Sequence, residues 1–432
     1  MTNKPSEWVD MSELRIGLFV DLDLGWMAHP FPSNRFKISN LKQIEIIRSL
    51  GLQQVRCVLA KSDPLTEPSV KASPSTADQK KAVVLKAMPE SLEAQAQRSQ
   101  RVQYLETQRQ NLIFCERRFG EGVREYRQVM ERVMTQPEWA GEQCQKLVQS
   151  YVGDMACEGE VVIRLLSQSM GDRVSTHPVN VTVLSLLLGR ALSLSPLDMV
   201  DLGVAAALHD MGKLALPDRV HILEDGFSAA EFKQYQTHVD LGVDMGRRMA
   251  LSPGVLTAIA QHHELDDGSG FPMHARGDQL SVPSKILALV NRYENLCNPG
   301  RPETAMTPHE SLALIFSQLR AQFDGPILGS FIRMMGIYPP GSVLEFLDGR
   351  HALVVSVNSS RPLRPRVIVY DRTVPKTEAL ILDLEQCPEI SIRRSIKPSS
   401  LPSDALQYFL PRKRICYYFE RSIDLDVPGE AS

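Results

Sequence analysis

Histidine is the informative residue in this sequence. Ten occur in 432 residues, and seven of them fall between positions 177 and 274. A neutral imidazole is the commonest biological metal ligand, and imidazoles grouped with aspartate build sites for zinc, iron or manganese. One motif is Leu208-His209-Asp210-Met211-Gly212-Lys213, which follows the helical run Met199–Ala207. His209 and Asp210 therefore stand at or near a helix end. Adjacent His and Asp offer one nitrogen and one carboxylate, and the carboxylate can bridge two cations where the imidazole cannot. Lys213 comes four residues after His209. A continuing helix would turn both to one side, where an ammonium could hold a phosphate oxygen or oppose developing negative charge. Taken alone, a His-Asp pair is more often a capped helix end.

A second motif, His262-His263-Glu264-Leu265-Asp266-Asp267-Gly268-Ser269-Gly270-Phe271-Pro272, follows the apolar stretch Val255–Ala260. Two consecutive histidines at a helix end can serve two different cations. The Asp-Gly-Ser-Gly run makes a tight polar loop. By itself this would be an ordinary surface loop; beside the first motif it is not.

Together the motifs resemble the HD superfamily of metal-dependent phosphohydrolases, and within it the HD-GYP group, whose pattern is HDxGK plus HHExxDGxGYP. The chain has HDMGK and HHELDDGSGFP. Pro217-Asp218 and Phe323-Asp324 are also similar to the group, and the likeness covers roughly residues 170–336. Leu14–Val20, with Trp26 and Pro30-Phe31, is similar to a small domain that often precedes HD-GYP domains in bacteria.

The resemblance implies a helical bundle holding two or three cations, often iron or manganese, that cleaves cyclic di-GMP to pGpG or GMP. It implies His177, His209, Asp210, His238, His262 and His263 as metal ligands, with Asn291 at a further ligand position. His177 and His238 would each, alone, be read as core or capping residues; as members of a spaced set they are ligands. Lys213 and Arg301 fall where substrate phosphates would be held, and Asp210 and Lys213 are the catalytic candidates. The expected chemistry is metal-assisted hydrolysis, with water activated between the cations and no protein nucleophile. The GFP loop would be available to a protein partner. His221 and His274 lie off the pattern and read as surface or supporting residues.

Four departures bear on this reading. Asn291 stands where the family has an aspartate ligand; an amide oxygen can coordinate but carries no charge. Arg173 stands where three-metal members have a glutamate, which favours two ions. Phe271 replaces the tyrosine of GYP. After Arg301-Pro302 the chain has Glu303, Thr304 and Ala305 where the family is basic. Two alternatives therefore stay open: a catalytically weak signalling or binding module, and an HD phosphohydrolase acting on another nucleotide.

The elements that must position these residues read as mainly α, an HD-type bundle flanked by a small α+β N-terminal domain and a small mainly β C-terminal domain. The boundaries are 1–61 for the first domain, 62–77 for a Pro/Ser/Thr-rich linker, 78–170 for a helical connector, 171–336 for the metal-binding bundle and 337–432 for the β domain. The connector helices offer a homodimer seam. Strands are expected at Val55–Leu59, Val343–Phe346, Ala352–Val357, Arg366–Tyr370 and Ala379–Leu384, and a helix at Asn40–Leu50.

Composition narrows the function classes. Lys+Arg is 48 against Asp+Glu 51, a net charge of −3, which gives no electrostatic case for bulk nucleic-acid or membrane binding. Arg412-Lys413-Arg414 ahead of an aromatic strand reads as solvated charge. The seven cysteines are scattered, without a CxxC pair, as in a reducing compartment. No signal peptide or membrane span is expected, and the location is read as cytoplasmic.

Overall fold

The computed structural model describes residues 7–22, 31, 34–50, 52–63, 92–156, 161–167, 172–221, 226–357, 363–409 and 414–421. Trp26, Pro30, Arg412, Lys413 and nearly all of the 62–77 linker lie outside them. The chain divides into two compact units: Met1–Gln108 with Val369–Leu380, and Arg109–Ile368 with Ile381–Ser432.

In the first unit, β1 (Glu7–Asp10), β2 (Phe19–Asp21), β3 (Arg35–Lys37) and β4 (Gln54–Cys57) form an antiparallel sheet in the order β1-β4-β2-β3. Helix α1 (Leu41–Ser49) starts where Asn40 Oδ1 accepts the Gln43 N–H at 2.9 Å, the usual role of an N-cap amide. Ile44 and Ile47, three residues apart and so on one helix face, join Leu18, Val20, Ile38 and Val55 in a closed apolar core. The helix and the strand at Gln54–Cys57 fall where the sequence places them.

The second unit is helical and holds the histidines. Its elements begin with the later turns of α2 (Leu92–Arg132), then α3 (Pro137–Met155), β5 (Val161–Leu165), α4 (Arg173–Ala191) and α5 (Pro196–Leu208). They continue with α6 (Ala229–Gln236), α7 (His238–Arg248), α8 (Pro253–Gln261), α9 (Val282–Cys297), α10 (Pro308–Ser317) and α11 (Gly325–Met335). Cys115, Phe119, Val123, Tyr126 and Val129 recur at helical spacing on α2 and are buried within the chain itself. Helix α4 is apolar on every side and buried from Ser175 to Gly189, as a central helix must be. Its N-terminus is fixed by Asp172, which caps the Ser175 N–H, and by Arg127 of α2, which donates to Ser175 Oγ at 2.7 Å and to Asp172 at 2.9 Å. His177 follows one turn later. Ser195, Ser252 and Ser281 each cap the next helix, and proline occupies its opening turn.

The strands that follow the bundle are β6 (Val343–Phe346), β7 (His351–Val357), β8 (Arg366–Val369), β9 (Leu382–Asp383), β10 (Ile392–Ile396) and, after α12 (Ser403–Phe409), β11 (Tyr417–Arg421). The β6–β7 hairpin forms where expected, with Gly349 at φ +83° in its turn. Two expectations need correction. The strand read at Ala379–Leu384 is confined to Leu382–Asp383, between the 3-10 turns Lys376–Glu378 and Leu384–Gln386. The stretch 78–170, read as helical, contains strand β5, which is inserted between β7 and β11 in the order β10-β6-β7-β5-β11. Four of the five β5 residues are buried, Arg164 among them against Glu420, and so short a run is easily absorbed into a neighbouring helical pattern. The late strands are also stitched to the bundle. Asn180 of α4 and Asn298 donate to the Ile415 carbonyl at 2.7 and 2.9 Å, and the Tyr417 N–H donates back to Asn180 Oδ1 at 3.0 Å. The Tyr417 hydroxyl meets Tyr293 of α9 at 3.2 Å and donates to Pro340 O at 3.2 Å.

Among the described residues, no helix is long and apolar enough to cross a membrane. The stitching has a measurable consequence. Tyr417 is fully buried, so Tyr417→Ala is expected to lower unfolding stability by ~3–5 kcal/mol, whereas Tyr417→Phe, which loses only the hydroxyl, should cost about 1 kcal/mol. Urea denaturation followed by circular dichroism measures both.

Candidate metal centre

Three of the histidines are held by the same local device. The last carbonyls of a helix have no intrahelical partner. His209 Nδ1 meets the Ala206 carbonyl at 2.8 Å at the end of α5, and His262 Nδ1 meets the Ile259 carbonyl at 2.6 Å at the end of α8. His238 Nδ1 meets the Tyr235 carbonyl at 2.5 Å at the end of α6. A carbonyl only accepts, so each Nδ1 carries the proton and each Nε2 presents a bare lone pair. His177 is oriented by a carboxylate instead, through its Nδ1 contact with Glu294 Oε2.

The four Nε2 atoms meet in two pairs. His177 and His209 Nε2 are 3.3 Å apart, and so are His238 and His262 Nε2. Asp210 lies between the pairs. Its Oδ2 is 3.8 Å from His177 Nε2 and 3.5 Å from His209 Nε2; its Oδ1 is 3.6 Å from His238 Nε2 and 3.9 Å from His262 Nε2. His263 completes the second group: one ligand atom from each of Asp210, His238, His262 and His263 lies within 4.8 Å of the others, as does one from each of His177, His209 and Asp210.

These residues fit a pair of cations. Two bare lone pairs 3.3 Å apart repel each other unless a positive ion sits between them. Two imidazoles each ~2.1 Å from one ion span about that separation. Asp210 Oδ1 is buried with no hydrogen-bond partner, an arrangement that is costly without a cation beside it. The electrostatics agree. Burial, aided by neighbouring imidazoles or Lys213, pushes His209 down to about 4 and His238 and His262 to about 3, and holds His263 well below its ordinary value. All four are therefore neutral near pH 7, the form that ligates. Burial opposes ionisation of Asp210, but Lys213 and the imidazoles outweigh it and hold the carboxyl well below the usual range.

Lys213 is not where helix continuation would put it. Helix α5 ends at Leu208, and Lys213 lies on the 3-10 turn Met211–Ala215. Its Nζ is 2.7 Å from Asp210 Oδ2 and 5.2 Å from the centre of the Tyr235 ring. Gly212 in this turn has a steric reason: a Cβ there would come within 1.9 Å of the His238 carbonyl, so only glycine lets α7 approach. Asn291 is buried on α9, and its Oδ1 accepts the Asn295 amide at 2.6 Å. Arg301 is exposed ahead of the 3-10 turn Pro302–Thr304. Arg173 donates to Asn295 and, at 2.9 Å, to the Asn298 carbonyl.

The loop after His263 is tied inward. Buried Glu264 accepts the backbone N–H groups of Met273 and Ala275 at 2.6 and 2.9 Å. The Phe271 ring stacks on His263 with centroids 4.5 Å apart. Lys285 joins Asp266 of the loop to Asp324 at the start of α11, at 3.2 and 3.0 Å. His221 bonds the Leu216 carbonyl at 2.8 Å and takes no part in either cluster.

Two residues escaped the sequence reading. Glu294 is fully buried, fixes His177, and accepts Asn180 and Asn298 amides on its other oxygen at 3.2 and 2.8 Å. An acid inside the apolar run of α9 was its signal. Tyr235, three residues before His238, lends both its carbonyl and its ring to the site; no spacing rule marks it. Because Glu294 orients a ligand, Glu294→Gln is expected to weaken manganese binding by ~10–100-fold while leaving the circular dichroism spectrum unchanged. Equilibrium dialysis with metal analysis checks this.

Residues 160–327 match the HD domain family, and residues 8–144 match a domain of unknown function, DUF3391. The chain is 26% identical over 175 residues to the cyclic di-GMP phosphodiesterase PA4108 of Pseudomonas aeruginosa, covering 39% of this chain and 41% of that protein. It is 29% identical over 133 residues to the cyclic di-GMP phosphodiesterase response regulator RpfG of Xanthomonas campestris, covering 30% and 35%. It is 34% identical over 94 residues to the 3'3'-cGAMP-specific phosphodiesterase 2 of Vibrio cholerae, covering 21% and 18%. The chain thus spans less than half the length of each of these relatives.

Proposed function

We propose that residues 160–327, which match the HD domain family, act as an HD-GYP-type domain and make this protein a metal-dependent phosphodiesterase that hydrolyses cyclic di-GMP to pGpG, GMP or both. The observation that carries the reading is Asp210, a single carboxylate whose two oxygens face two different pairs of imidazoles. That donor set suits two iron or manganese ions.

Divalent ions held there supply Lewis acidity: they activate water and neutralise charge on the phosphodiester. The residues do the rest. His177 and His209 would hold one ion and His238, His262 and His263 the other, with Asp210 shared between the two groups. Backbone carbonyls and Glu294 keep the imidazoles in the ligating tautomer. Lys213 brings a third positive charge, within reach of a phosphate oxygen if it swings from Asp210. The bundle needs no side-chain nucleophile for this. Arg301 would meet an outlying part of the substrate.

Asn291 supports a second reading, a module that binds nucleotide but turns it over slowly. Its amide oxygen carries no charge and already accepts the Asn295 amide. Likeness to a cGAMP-specific enzyme also keeps other cyclic dinucleotides in the substrate panel.

The test is nucleotide chromatography of reactions with purified, manganese- or iron-loaded protein. Linear product is expected from cyclic di-GMP, falling by ~10³-fold or more in His209→Ala and Asp210→Ala. Fully loaded protein that gives no product above those variants rejects hydrolysis; product from cGAMP in preference to cyclic di-GMP reassigns the substrate.

A further inference from the structure

The two oxygens of Asp210 are not equivalent. Oδ1, which faces His238 and His262, is buried and has no hydrogen-bond partner. Oδ2, which faces His177 and His209, already receives the Lys213 ammonium at 2.7 Å. The ammonium is settled there, with the face of Tyr235 at 5.2 Å. The ligand sets differ in the same sense. The His238 side has three imidazoles, one of them His263 with the Tyr235 hydroxyl 3.5 Å from its Nε2, and the carboxylate oxygen that has no hydrogen-bond partner. The His177 side has two imidazoles and an oxygen whose charge is already balanced. Arg173 adds a guanidinium one turn before His177, where it is anchored to Asn295 and Asn298. Asn291, the other expected ligand, adds no charge.

Resting on the reading of this cluster as a metal centre, we propose that the two seats fill unequally and in order. The His238–His262–His263 seat fills first and tightly. Lys213 is a resident cation at the His177–His209 seat, and it must leave Asp210 Oδ2 before a second divalent ion binds there. Two positive charges cannot share one carboxylate oxygen at contact distance without strong repulsion. Displaced, the ammonium is free to take an anionic phosphodiester as its next partner. Second-ion binding and readiness for substrate are thereby linked through one side chain. Lysine suits this role because its charge is compact and sits on a flexible stem.

The experiment is a manganese titration of chelator-stripped full-length protein, with free manganese counted by electron paramagnetic resonance. Wild type is expected to bind in two classes whose dissociation constants differ by about tenfold or more. His263→Ala removes the tight class and His177→Ala the weak one. Lys213→Met strengthens the weak class by about tenfold, whereas Lys213→Arg, which keeps the charge, leaves the classes apart. Equal affinities in wild type overturn the proposal, as does a Lys213→Met protein whose second ion binds no better. Absence of manganese binding in wild type overturns both this proposal and the metal-centre reading. Two-class binding without turnover of any cyclic dinucleotide leaves it standing while the hydrolase reading falls.

Discussion

Everything at the centre turns on a carboxylate shared between two groups of imidazoles. Asp210 can face both ways only because the histidines around it arrive with lone pairs inward. That orientation comes from helix ends. At α5, α6 and α8, a terminal carbonyl that would otherwise go unpaired takes the Nδ1 proton of the imidazole three residues on. The bond satisfies the backbone and sets the tautomer at once. His177, inside α4 rather than at an end, has no such carbonyl, and buried Glu294 does the same work from α9.

Such a cluster is expensive to hold without ions. Burial strips the imidazoles of their charge and leaves one aspartate oxygen without a partner. The surrounding fold bears that cost through rigidity. Helix α4 is enclosed on all sides, Arg127 and Asp172 fix its start, and Asn180 and Asn298 bind it and α9 to the chain beyond Ile415. The site's own loop is closed by Glu264 and by the Asp266–Lys285–Asp324 bridge. Small displacements of these supports would move ligand atoms whose useful range is a few tenths of an ångström.

The cations native to the chain are part of the same electrostatic balance. Lys213 bonds Asp210 Oδ2, the oxygen nearer His177 and His209, whereas Oδ1, which faces His238 and His262, has no hydrogen-bond partner. A centre built this way is asymmetric before any ion arrives. The asymmetry follows from which residues line each half and not from any difference in the helices that carry them.

Much of the site was legible in the residue order. HDMGK and HHELDDGSGFP marked His209, Asp210, His262 and His263 as candidate ligands, and the resemblance added His177 and His238, because ligand chemistry restricts residue type and helix ends restrict spacing; the fold brings all six together. The hairpin at Val343–Val357 and the capped helix at Leu41–Ser49 were legible because turn and cap residues act over a few positions. Long-range facts were not. Strand β5 is defined by partners more than 190 and 250 residues away, Ile163 against Val357 and Phe419, and a five-residue apolar run looks the same in a helix or a sheet. Glu294 meets His177 across 117 residues. Which oxygen of Asp210 takes Lys213 depends on the helix stopping at Leu208. Local chemistry is written along the chain, but the choice of partner across space belongs to the packing that only the folded molecule performs.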